Sequence, residues 1–274
     1  MWDPNTYLRY GDERSRPFHD LVARVPADRP RTVVDLGCGP GNLTVTLRER
    51  WPQARISGFD SSPEMIDKAL GLGSGADFAV ADVRDWVPDP TVDVVVSNAV
   101  LQWVPGHEAL LRRWAGELPA GSWLAVQVPG NFDAASHRAL RAVAADPRWS
   151  EQMRDLLRSA PVLDAVGYAT LLTGAGCAVD AWETTYVHLL PARDVVDHPV
   201  LSWMEGTALR PVRASLGGDT TAWADFRAAL NRRLAEAYPV RDGLVYFPFH
   251  RHFFVARTGA HAVTGAPPAV RKNP

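Results

Sequence analysis

Three glycines at every second position, Gly37, Gly39 and Gly41, follow an aspartate in the stretch Asp35-Leu-Gly-Cys-Gly-Pro-Gly41. Glycine lets the backbone come close to a ligand and reach conformations that side chains disfavour. The dinucleotide fingerprint G-x-G-x-x-G sets its third glycine three residues after the second. Here the gap is two, and an acid stands where a pyrophosphate needs neutral or positive groups. The pattern therefore suits a polar ligand with a cationic end. Asp60 follows the glycines by about 20 residues, where a carboxylate accepts both hydroxyls of a ribose. Asp82 ends a third apolar run and could take the exocyclic amine of an adenine. Singly, each acid reads as a turn or helix cap. Three acids in such succession read as a groove, since ligands bind at strand C-termini in open α/β sheets.

Other residues could do chemistry less specifically. Arg14 and Arg16 lie near Tyr7 and Tyr10. Paired arginines beside tyrosines suit an anionic substrate, and the plainer reading is a solvated surface helix. Trp103 reads either as core or as the wall of a pocket. Cys38 sits between glycines, where a small residue packs, and is not read as a nucleophile. Two cysteines, Cys38 and Cys177, cannot form a disulfide framework. No metal-ligand spacing and no internal repeat is present.

The elements that must position these residues alternate. Thr32 to Leu36 is a short β-branched run, read as a buried strand, and a helical pattern with Leu43, Leu47 and Trp51 on one face follows the glycines. Arg55 to Asp60, Phe78 to Asp82, Val92 to Asn98 and Ser122 to Val128 read as further strands. Ser62-Pro63-Glu64 has the N-cap, the first-position proline and the first-turn acid of a helix start. A helix from about His107 to Leu118 ends before Pro119-Ala-Gly121. Residues 131–159 read as helix-like, Leu163 to Ala175 as a helix, and Val179 to Leu189 as a sixth strand. Residues 192–240, with Trp203, Leu209, Phe226, Leu230 and Leu234, suggest two or three short helices forming a cap. Phe249 to Ala256 is the expected last strand. Residues 258–274 lack large apolar groups, which predicts disorder.

These motifs resemble those of the class I S-adenosylmethionine-dependent methyltransferases: Asp35-Leu-Gly-Cys-Gly-Pro-Gly41, Asp60-Ser-Ser-Pro, and Ala81-Asp-Val83. Tyr7-Leu8, Glu13-Arg-Ser-Arg-Pro17, Ser97-Asn-Ala-Val-Leu-Gln-Trp103, Val126-Gln-Val-Pro129 and Trp182-Glu-Thr-Thr-Tyr186 narrow the resemblance to members that esterify a small polycarboxylate. It covers roughly residues 1–257. It implies a doubly wound, seven-stranded, mostly parallel α/β sheet of Rossmann-like type with a small helical cap, and an N-terminal lid over residues 1–30. The implied cofactor is S-adenosyl-L-methionine, leaving as S-adenosyl-L-homocysteine. Asp35, Gly37, Gly39, Gly41, Asp60, Ser61, Asp82, Val83 and Asn98 are then its candidate ligands. Tyr7, Arg14, Arg16, Trp103, Tyr186, His188, Arg210 and Tyr246 are candidates for the acceptor. Each arginine reads equally as a surface ion pair, and His188 as a satisfied core histidine. No general base or metal is expected, because a carboxylate nucleophile is already ionised at neutral pH.

Composition excludes several classes. The chain has 274 residues, 46% hydrophobic, and a formal net charge of −2. That length suits one large α/β domain. The charge gives no footprint for nucleic acid. No apolar run reaches membrane-spanning length and no signal-peptide pattern opens the chain. A cytoplasmic enzyme with a small-molecule substrate and no obligatory protein partner is the expectation. Its rivals are a nicotinamide-dependent oxidoreductase, disfavoured by the glycine spacing and Asp35, and a non-catalytic adenosylmethionine-binding module.

Overall fold

The computed structural model describes residues 11–154, 156–157, 161–193 and 195–259, with side chains from Ser15 onward. Seven strands form one sheet in the order β3-β2-β1-β4-β5-β7-β6. They are β1 (Thr32–Leu36), β2 (Arg55–Asp60), β3 (Asp77–Val80), β4 (Val92–Asn98), β5 (Trp123–Pro129), β6 (Ala178–Pro191) and β7 (Leu244–Arg257). β1 pairs in parallel with β2 and β4, and β2 with β3. The helices are α1 (Gly11–Ala23), α2 (Leu47–Arg50), α3 (Pro63–Gly71), α4 (His107–Glu117), α5 (Ala135–Ala144), α6 (Ser150–Met153), α7 (Ala165–Thr173), α8 (Pro199–Glu205), α9 (Arg210–Leu216) and α10 (Thr220–Ala237). The expected doubly wound, mostly parallel α/β sheet is thus present.

Among the described residues the chain forms two compact units, one of residues 21–126, 165–182 and 253–259, the other of residues 11–20, 127–164 and 183–252. In the first, Val94, Val95 and Val96 of β4 are wholly buried, because a central parallel strand is covered on both faces. Register brings Asp35 beside Gly58 and Val96, so the ends of β1, β2 and β4 lie together. In the second, α5, α6 and α8 to α10 bury Trp149, Trp203, Phe226 and Phe247 in a single cluster. On α1, Phe18 and Leu21 are buried while Arg24 just beyond it is exposed, so the helix is amphipathic.

Several boundaries differ from expectation. The helix after the glycines is a 3-10 turn (Thr44–Thr46) and one turn of α2. Thr44, Val45 and Thr46 are β-branched, which lowers helix propensity. Trp51 falls beyond α2, buried, with its Nε1 donating to the Ala27 carbonyl at 2.7 Å. β3 stops at Val80, short of Asp82. The stretch 131–159 holds two helices, α5 and α6, separated around Pro147, where a proline lacks the amide a helix needs. The helices of 192–240 are two short ones and one of 18 residues, not all short. β7 begins five residues early, at Leu244, and runs through Pro248. Thr258, assigned to a disordered tail, is buried and donates its amide to Ser122 O at 2.9 Å. Residues 260–274 lie outside the described residues.

Candidate active site

The first unit carries every residue expected to hold the cofactor. β1 ends on Asp35, only 3% exposed, and Thr44 Oγ1 donates to its Oδ2 at 2.6 Å. Burial pushes the Asp35 carboxyl up to about 7; the Thr44 hydrogen bond opposes this and the nearby Asp60 adds to it. The loop then turns through three left-handed glycines, with φ of 80° at Gly37, 55° at Gly39 and 78° at Gly41. At Gly37 a Cβ would overlap the Val100 side chain, and at Gly41 it would lie 2.8 Å from Ala69 Cβ. At Gly39 a Cβ would meet nothing within 4 Å. Two glycines are thus demanded by packing and the third faces open space.

Strand β2 holds the loop. The amides of Gly37 and Cys38 both donate to Phe59 O, at 2.7 and 3.0 Å. Asp60 accepts from the Gly39 amide at 2.9 Å and from the Ser62 amide at 2.9 Å, one on each oxygen. It is therefore a brace of the glycine loop, and each oxygen retains a further lone pair. Ser62 caps α3 as expected, accepting from the Met65 amide at 3.3 Å, and Ser61 is exposed beside it. Cys38 is buried, and burial raises its thiol, with Asp35 and Asp60 adding to the effect. A protonated thiol agrees with a packing role.

Two residues depart from simple expectation. Asp82 is gripped by its neighbour: Arg84 Nε and Nη2 reach its two oxygens at 2.9 and 2.5 Å, and the Arg84 amide donates at 2.9 Å. The fork holds the Asp82 carboxyl below its usual range. Val83 next to it is buried. After β4, Asn98 has a buried Oδ1 with no partner among the described residues. Ala99 follows with φ of 59°, an uncommon conformation for a residue with a Cβ, and Gln102 Nε2 donates to its carbonyl at 2.7 Å. Trp103, on the 3-10 turn Leu101–Trp103, is half exposed, so it is not core.

The remaining acceptor candidates whose placement is described are in the second unit. Tyr7 lies outside the described residues, as does the Arg14 side chain. The Arg16 guanidinium lies 6.0 Å from the centroid of the Tyr186 ring. Tyr186 is buried and donates its hydroxyl to Asp20 at 2.5 Å. Burial first, then Asp20, raises that phenol. His188 is buried and stacked on Trp203, centroids 4.5 Å apart, beside Phe247 and Phe249. That is an aromatic core position. Arg210 opens α9, partly buried, and Tyr246 is half exposed on β7. Among the described residues no group of His, Cys, Asp and Glu could hold a metal. No described helix is long and apolar enough to cross a membrane.

Residues 10–181 match the family model of a methyltransferase domain. A trans-aconitate 2-methyltransferase of Mycobacterium sp. (strain KMS) is 57% identical over 262 residues, covering 94% of this chain and all of that protein. The trans-aconitate 2-methyltransferase of Mycobacterium tuberculosis (strain ATCC 25177 / H37Ra) is 50% identical over 268 residues, covering 97% of this chain and all of that one. The chain belongs to this methyltransferase family. A solved phosphoethanolamine N-methyltransferase 2 of Haemonchus contortus, in complex with S-adenosyl-L-methionine, shares the fold. Its TM-score is 0.50 at 16% identity, covering 89% of this chain and 52% of that one.

The methyltransferase motifs were all legible in sequence, but the pairing of three polar residues of the second unit was not, although Gln127 lies within the Val126-Gln-Val-Pro129 stretch. Gln127 and Arg251 are buried, 0% and 5% exposed, and Arg251 Nη1 donates to Gln127 Oε1 at 3.0 Å. Asn131, 1% exposed, accepts the His250 amide on Oδ1 at 2.6 Å. Beyond that stretch the signal was a polar residue in or next to an apolar run, and for Arg251 the run is already broken by His250 and His252. Gln127 interrupts Val126 and Val128, and Arg251 stands among Phe249, Phe253 and Phe254.

Proposed function

We propose that this methyltransferase takes its methyl group from S-adenosyl-L-methionine and esterifies a small polycarboxylate, trans-aconitate foremost. The observation that carries the cofactor reading is a pair of buried acceptors beside an open glycine: Asp35 and the unpartnered Asn98 Oδ1, with Gly39 facing open space. A buried acceptor without a donor, such as Asn98 Oδ1, is costly. Among the described residues the buried Asp35 carboxylate is held only by Thr44 and is short of positive charge. A cationic ligand end satisfies both. Asp60, still able to accept, suits ribose hydroxyls. Asp82 suits the adenine amine only with the lone pairs that Arg84 leaves. When bound, the cofactor supplies a methyl activated by a sulfonium.

Transfer of that methyl is a direct displacement by one acceptor oxygen, so the protein's task is alignment, which can supply several kcal/mol. The nucleophile is a carboxylate, which ordinarily titrates near about 4 and is ionised without help. The relatives' names support trans-aconitate, and the cations Arg14, Arg16 and Arg210 suit the carboxylates that do not react. Residues 1–30 are assigned as a lid and 192–240 as a cap over the acceptor. We place the enzyme in the cytoplasm and assign no role to metal, nucleic acid or a protein partner. The test is methyl transfer from labelled cofactor to a panel of mono-, di- and tricarboxylic acids, with calorimetry of S-adenosyl-L-homocysteine and NAD alongside. Ester formation on trans-aconitate is expected, with homocysteine-form binding and none of NAD. Transfer to amines or phenols alone sinks the acceptor reading, and NAD binding alone sinks the cofactor reading.

A further inference from the structure

Arg251, Gln127 and Asn131 are polar residues sunk in the second unit, each at most 5% exposed. Arg251 Nη1 donates to Gln127 Oε1, and the guanidinium also lies over the Phe249 ring, 4.8 Å from its centroid. That bond fixes which end of the Gln127 amide faces the arginine. The bond from the His250 amide to Asn131 Oδ1 does the same for Asn131. Both amide NH2 groups are consequently turned elsewhere. Gln127 Nε2 and Asn131 Nδ2 are buried and have no partner among the described residues. Two unmet donors in the interior are destabilising, a cost that leucine would avoid. Such donors are kept where an acceptor arrives. Arg16 and Arg251 both lie near enough to Tyr186 to act on its hydroxyl, which donates to the Asp20 carboxylate. Gln127 lies close to the C-terminal end of β5 and Asn131 just beyond it, the end of such sheets at which ligands bind.

We infer that Arg251, Gln127 and Asn131 form a seat for a carboxylate of the acceptor, with the guanidinium supplying charge and the two amides supplying direction. This rests on the polycarboxylate reading and gives a role to Gln127, which lies inside the Val126-Gln-Val-Pro129 stretch, and to Asn131 and Arg251, which no motif marked. The seat holds a carboxylate that does not react, and so acts on acceptor affinity and on the preference for tri- over monocarboxylates.

Gln127→Glu tests it directly, because the new carboxylate pairs with Arg251 and fills the seat from within. Asn131→Asp keeps the acceptor for the His250 amide and replaces the donor with a negative oxygen. Each variant should raise KM for trans-aconitate at least tenfold, about 1.4 kcal/mol, with kcat within about threefold. Binding of S-adenosyl-L-homocysteine and the melting temperature should hold. Arg251→Lys should fall between, since an ammonium keeps the charge but not the fork. A merely structural role would move melting and leave KM alone. Folded Gln127→Glu and Asn131→Asp proteins with the wild-type KM overturn the seat. Calorimetry of trans-aconitate on protein loaded with S-adenosyl-L-homocysteine separates this from failure of the reaction. Binding to wild type that Gln127→Glu abolishes, without turnover, keeps the seat and sinks the reaction. No binding to wild type overturns both.

Discussion

The sharpest consequence of the site concerns pH. Asp35 titrates at about 7 in the cofactor-free protein, chiefly because burial disfavours its charge. A cationic ligand end needs the ionised carboxylate, so binding must select or create that form. The ionised fraction is about 1% at pH 5 and about half at pH 7 for a group of this pKa. Affinity for S-adenosyl-L-homocysteine, which keeps the amino acid ammonium, should therefore rise about fiftyfold between pH 5 and pH 7. Up to about pH 7.5 the ligand's α-ammonium keeps its proton, so the slope over that range reports on Asp35. At pH 7, binding should release about half a proton, visible as a dependence of calorimetric enthalpy on the buffer's ionisation heat.

The same shift acts on stability with a definite sign. The folded pKa lies above the unfolded value of about 3.9, so the cofactor-free protein loses stability as pH rises from about 4 through 7. The loss is at most about 4 kcal/mol. A bound cation reverses it, and the thermal shift given by the ligand should grow with pH over that window. Asp35→Asn should bind weakly, with no slope in pH, and should melt higher than wild type at neutral pH. Equal wild-type affinity at pH 5 and pH 7 in all buffers would refute the assignment of Asp35 to the cationic end.

Asp60→Ala should weaken cofactor binding by about 2–4 kcal/mol. Because Asp60 also braces the amides of Gly39 and Ser62, the melting temperature should fall as well; an unchanged melting curve would deny the brace. Gly37→Ala and Gly39→Ala should separate by cause. The first collides with Val100 and should destabilise by more than about 2 kcal/mol, as read by urea unfolding. The second meets open space and should cost stability only its left-handed φ, about 1–2 kcal/mol, yet abolish cofactor binding in calorimetry. His137 is pushed down to about 4, mainly by burial and then by Arg141. With the folded pKa below the unfolded value of about 6.5, stability is complete above about pH 6.5 and declines as pH falls toward 4. His137→Gln should lessen that decline in denaturant titrations.

What the sequence by itself determined was local. The strand, the glycine turn and the capped helix of residues 32–71 are encoded in neighbouring residues: β-branched runs, Gly at the tight positions, Ser62 and Pro63 at a helix start. The acids Asp35 and Asp60 could be placed for the same reason, since each ends a run whose type is readable within a few residues. The weak helix after the glycines was readable too, in Thr44 and Thr46, but was outweighed by the apolar spacing. The strand through Pro248 was hidden because proline ordinarily breaks a ladder; burial of Val245 and Phe247 overrides that bias.

Tertiary structure decided what each polar group meets. Tyr186 reaches Asp20 across 166 positions, and Arg251 reaches Gln127 across 124. Nothing local to any of those four residues announces the pairing. Asp60 reads in sequence as a ribose ligand alone, and folding also makes it the support of the Gly39 amide, 21 residues away. Burial, which sets the charge of Asp35 and strands the amides of Gln127 and Asn131, depends on the whole chain packed around them. Spacing along the chain names the groups that can react. Only the fold sets their solvent, partners and protons.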